Sequence, residues 1–155
     1  MKMALITSIL VAVFISATSS FSQLDSMPPY EKEKVVTVTG IVEQIYVSSP
    51  PMTNKKGIHI NLKTNAGIYM VHVCPEWYWD THSKLFNFEK QHTLTVSGAQ
   101  FVSGLTANNI YATTIINQSS PLKVNLREPE TGRGIWKKEK NLEKQFQSKR
   151  PKRTL

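Results

Sequence analysis

From residue 35 onward, apolar and polar side chains alternate in short runs, the period-two signature of strands with one buried face. Residues 35–47, VVTVTGIVEQIYV, are dense in β-branched side chains and predict a long first strand. Gly40 interrupts it, which in a strand marks a bulge or a sharp bend. Residues 48–56, SSPPMTNKK, read as a loop. Two alternating runs follow, 58–62 and 69–73, around the turn signal Thr64-Asn65-Ala66-Gly67. They predict a hairpin. Pro75 suits the start of a helix, where its missing N–H is not needed, so residues 75–86 are expected to be helical. Further strands are predicted over 91–102, 109–116 and 122–127.

This order gives an all-β fold: an OB-fold-like five-stranded barrel with one short helix between strands 3 and 4 and an appended C-terminal strand. A small sandwich has a similar strand count, but a single helix closing an open end fits the barrel better. The helix then needs a large side chain inside, and Trp77 is the one expected to plug the barrel. Trp136 is expected to act as a latch closing the end of the domain.

Residues 1–22 sit outside this pattern. Lys2 precedes an apolar run over 4–15 and a small, polar stretch, which is the form of a secretory signal peptide. The run falls short of the ~20 apolar residues that a membrane span needs. An exported protein, periplasmic or secreted, is the expectation. Residues 23–34 read as a linker, 35–136 as the barrel domain and 137–155 as a basic tail. The formal charge of +8 belongs mostly to that tail, which holds eight Lys and Arg against two Glu. The body is close to neutral.

Several segments add a resemblance. They are Gly57-Ile58-His59-Ile60-x-Leu62-x-Thr64, Val71-His72-Val73-x-Pro75-x-Trp77-Tyr78, Thr95-Val96-Ser97-Gly98, Asn125-Leu126-Arg127-Glu128 and Gly132-x-Gly134-x-Trp136. In this order and spacing the chain resembles a family of small exported bacterial OB-fold proteins. Members carry a His-Leu-Gly-Pro-x-Trp segment and end in a Leu-Arg-Asp…Gly-x-Pro-x-Trp segment. The chain departs from the family pattern at Cys74 (glycine), Glu128 (aspartate) and Gly134 (proline). The resemblance implies the barrel and brings no defined activity with it.

Candidate chemistry gathers on the hairpin. For Ile58, Ile60 and Leu62 to line the same core as Tyr69, Val71 and Val73, paired residues must differ in parity. Ile60 then faces Val71, and His59 faces His72. Asn61, Met70 and Cys74 fall on the same outward face. Two imidazoles and a thiolate suit zinc or copper, and a nearby thioether favours Cu(I). The metal-ligand candidates are therefore His59, His72 and Cys74, with Asn61 and Met70 as ligand-binding neighbours. The plain alternative is a pair of half-exposed histidines and a small buried cysteine. His82 and His92 read as surface histidines.

Enzyme chemistry is not expected, because no phosphate loop, paired-carboxylate motif or serine elbow is present. Cys74 is the sole cysteine, which excludes an intramolecular disulfide. The leading expectation is a binding protein that takes a small ligand or metal ion on the outer hairpin face. The second is a module whose basic tail, residues 137–155, meets an envelope protein, a polyanion or an anionic surface. Single-stranded nucleic acid is the weakest, since the near-neutral body lacks a basic groove interleaved with aromatics.

Overall fold

The computed structural model of the protein describes residues 28–49, 55–103, 106–120 and 122–148. The expected signal peptide and the end of the tail, 149–155, lie outside the described residues.

Six strands and two helices follow in order: β1 (Val35–Ser48), β2 (Gly57–Thr64), β3 (Gly67–Pro75), α1 (Glu76–Thr81), β4 (Thr93–Ser103), β5 (Thr106–Asn117), β6 (Lys123–Asn125) and α2 (Trp136–Ser148). Hydrogen bonding runs β3-β2-β1-β4-β5, and a parallel pairing of β3 with β5 closes the ring. Closure removes the open edges that a flat sheet would expose. β6 adds to β5 outside the ring. The expected five-stranded barrel, helix and appended strand are all present.

β1 serves two partners. It pairs with β4 over its first half and with β2 over its second. The change of partner falls at Gly40, where a Cβ would lie 2.3 Å from the Lys63 carbonyl oxygen. The bend predicted there is thus a close approach of two backbones, while the bulge sits slightly later, at Glu43.

Ile60, Leu62, Val71, Val73, Leu94, Val96, Ile110 and Ile115 are fully buried and fill the ring. α1 closes one end. Its plug is Tyr78, which is buried, whereas Trp77 is exposed to 37% and faces outward. This corrects the assignment of Trp77 to the interior. One residue turns a helix by about 100°, and in the run Trp-Tyr-Trp hydrophobicity does not choose among the three.

The outer face of β3 and β5 is roofed by both ends of the domain. Tyr111 Oη donates to the Pro28 carbonyl at 2.8 Å, and Tyr30 Oη to the Pro129 carbonyl at 2.9 Å. An isolated bridge pairs Arg127 with Gly134 and closes the C-terminal loop. Trp136 packs against the core cluster and lies 5.9 Å from the Tyr78 ring, consistent with the expected latch. α2 then carries the helix from Trp136 to Ser148, into the segment read as a basic tail.

Candidate functional site

The hairpin register places Ile60 opposite Val71 and His59 opposite His72, across a two-residue turn at Asn65-Ala66. His59 Nε2 lies 3.1 Å from His72 Nδ1, with the rings edge to face. On its other side, His72 Nε2 meets Asn109 Oδ1 at 3.2 Å. If that oxygen accepts, His72 carries its proton on Nε2 and presents a lone pair at Nδ1. His59 must then donate from Nε2, which leaves its Nδ1 as an acceptor. That atom is buried and has no hydrogen-bond partner.

Both rings are held neutral. Burial, helped by the neighbouring His59, pushes His72 down to about 4. Burial also lowers His59, against the Gly57 carbonyl beside its ring, which favours the protonated form without hydrogen-bond geometry at Nδ1. Phe101 and Tyr111 pack on His72, and Tyr46 stacks on His59. The outward face at this point is a small aromatic cluster, not a wet surface.

Cys74 does not join the pair. A bulge between Ile58 and His59 sets Cys74 opposite Ile58. The expectation that Cys74 shares the outward face of His72 is therefore corrected: the extra residue resets the alternation, and the thiol enters the core cluster. Burial pushes its pKa up to about 12, and the Trp79 amide offsets little of this. The thiol stays protonated at neutral pH. Asn61 and Met70 pair directly with each other, one step from the histidines. Among the described residues, no group of three or more His, Cys, Asp and Glu is arranged to hold a metal ion. The two imidazole nitrogens, at 3.1 Å, are nevertheless at a spacing that one ion with bonds of ~2.0–2.1 Å can bridge.

His82 and His92 are less exposed than their sequence positions suggested. His82 stacks on Tyr78 at 4.2 Å, and His92 Nδ1 meets the Asn117 side chain at 3.2 Å. Both are tied into the scaffold.

Beside the histidine pair opens a cavity of about 700 Å³. The hairpin contributes His59, His72 and Cys74, the start of α1 contributes Glu76 and Trp77, and β5 contributes Tyr111. Arg127, Trp136, Lys137 and Lys140 come from the C-terminal segment. Lys55 and Lys56 complete a set of five cations against one carboxylate. Sequence reasoning missed Arg127. Its Nη1 donates to the carbonyls of His72, Val73 and Ala112, so it bridges β3 and β5 where the barrel closes. The Trp136 ring lies over the guanidinium at 4.9 Å. Burial pushes its pKa down to about 10, which leaves it charged at neutral pH. It forms no ion pair among the described residues. Only the Leu-Arg-Asp-like motif around it hinted at a special role.

Fold and cavity together define a small β-barrel protein with a cation-rich recess between its hairpin and its C-terminal helix. The chain belongs to the MamS/MamX magnetosome protein family, whose model matches residues 34–122. The match takes in the whole barrel and ends before Arg127 and Trp136. No curated protein and no solved structure matches the chain.

Proposed function

We propose that this member of the magnetosome family is a non-enzymatic binding protein that takes a small ligand in the cavity beside His59 and His72. The observation that carries this reading is the cavity itself. A recess of about 700 Å³ falls in the usual range for small-molecule sites and combines aromatic walls with a few fixed polar groups. The protonated, buried thiol of Cys74 supports a binding role over nucleophilic catalysis. Residues 1–22 read as an export leader, so the ligand would be met in the periplasm or outside the cell.

A metal ion is the second reading, favoured by the 3.1 Å spacing of the two imidazole nitrogens. The two nitrogens now share one hydrogen bond, donated by His59 Nε2 to the lone pair of His72 Nδ1, and an ion would have to displace it and move the His59 proton to Nδ1. Elemental analysis of the purified chain, with His59→Ala and His72→Ala beside it, separates the two. Zinc or copper lost in both variants supports the metal. Metal-free protein whose tryptophan emission responds saturably to small molecules supports the cavity. Neither signal would sink the binding reading.

A further inference from the structure

We infer that Arg127, with Lys137 and Lys140 at the rim, forms a site for a small organic oxyanion, a carboxylate or a phosphate group. The inference rests on the cavity reading above and names the chemistry of its occupant.

No carboxylate among the described residues neutralises the charge of Arg127. Among the described residues its hydrogen bonds all come from Nη1, to three backbone carbonyls, and two ring faces lie against it. Nε and Nη2 have no acceptor among the described residues. The adjacent acid is directed elsewhere: Glu128 accepts from Lys138 at 2.8 Å and from Thr131 at 2.9 Å. Glu76, the carboxylate at the cavity, lies 3.7 Å from Lys56. A desolvated cation without a counter-ion is costly, and an entering anion supplies what is missing.

Geometry favours an oxyanion over a halide. The guanidinium is a planar fork whose paired N–H groups match two oxygens of a carboxylate or phosphate. Trp136 on its face and the carbonyls on Nη1 hold the plane, so little freedom is lost on binding. The histidines are neutral, which leaves Arg127 as the fixed charge of the floor. Lys137 and Lys140 are exposed and add longer-range attraction. Trp77, Trp136 and Ile58 offer apolar surface to the body of the ligand.

The test uses the purified chain with four probes: benzoate, phenyl phosphate, inorganic phosphate and neutral benzyl alcohol. Titration is followed by tryptophan emission and calorimetry. Saturable binding of benzoate or phenyl phosphate, weakened by salt and absent for benzyl alcohol, is expected. Inorganic phosphate separates the two sources: if it binds as well as phenyl phosphate, the site reads a free anion; if not, the organic body contributes. Arg127→Lys keeps the charge and loses the fork, and should weaken binding roughly thirtyfold or more. Because Arg127 also ties β3 to β5, the double variant Lys137→Ala/Lys140→Ala provides a check on a folded barrel, with an expected loss of about two- to fivefold. Equal affinity in both variants and the parent overturns the inference. So does binding of benzyl alcohol without any oxyanion, although the cavity reading would then survive. Binding of none of the four probes overturns the oxyanion and the cavity together.

Discussion

His59 Nε2 and His72 Nδ1 lie 3.1 Å apart, and the second ring is nine-tenths removed from solvent. Burial opposes the first proton on such a pair, and a second would set two like charges side by side. With His72 at about 4 in the folded protein and near 6.5 when unfolded, the unfolded chain binds more protons between those values. Stability contributed here is therefore fully present above about pH 6.5 and is lost as the pH falls toward 4. The lowered His59 acts in the same direction. Urea unfolding at pH 7.5 and pH 4.5 should differ by roughly 2–3 kcal/mol from His72 alone. The same comparison in His72→Phe should show a much flatter dependence. An unchanged slope in that variant would show that the acid sensitivity arises elsewhere.

Tyr78 and Trp77 are neighbours with opposite fates, one buried under the barrel and one on the cavity rim. Tyr78→Ala removes a buried ring that contacts Phe86, His82 and Trp136. It should cost about 3–5 kcal/mol in chemical denaturation. Trp77→Ala should cost less than about 1 kcal/mol and instead change the emission response to cavity ligands. A reversed order of the two stabilities would overturn the placement of α1.

The thiol of Cys74 is the third measurable quantity. Buried, with its pKa at about 12, it should react with a disulfide reagent at pH 8 only on the timescale of unfolding. Cys74→Ala should leave any metal content unchanged, since the bulge removes the thiol from the histidine face. Rapid labelling of the native chain would place Cys74 at the surface.

What the sequence showed and what it hid divide along a physical line. Parity of two alternating runs is local, and it set His59 against His72 and the core residues against each other. The bulge beside them is not local: no glycine or proline marks Val73, and the shift that buries Cys74 depends on how β3 meets β5 and α1. Arg127 lies 55 residues beyond His72 in a short irregular segment, where neither period nor composition says what it will touch. The roof over the histidines comes from both ends of the domain at once, so an outward strand face became a buried one.

Gly134 ties the roof to the site. A Cβ there would lie 2.1 Å from the Trp136 ring, at the residue bridged to Arg127. Gly134→Ala should therefore push the indole off the guanidinium. The expected result is a shifted tryptophan emission and weaker oxyanion binding, with a stability loss of about 1–3 kcal/mol. Unshifted emission would mean that the ring has room to spare.

Removal of residues 137–155 separates barrel from recess. The barrel core is complete without α2, whose described ion pairs, Lys138 with Glu128 and Glu139 with His82, are exposed or half-exposed and worth little each. The shortened chain should thus unfold within about 1–2 kcal/mol of the parent. Lys137 and Lys140 leave with the helix, so the cation count at the cavity falls from five to three while Arg127 stays. Oxyanion affinity should drop several-fold and become less dependent on salt, because two exposed lysines are lost while the short-range contact with Arg127 is kept. Metal content, if any, should be unaffected, as both imidazoles remain. If instead the truncated barrel is unfolded by circular dichroism, α2 is a structural part of the domain, and its lysines are held at the cavity by the core.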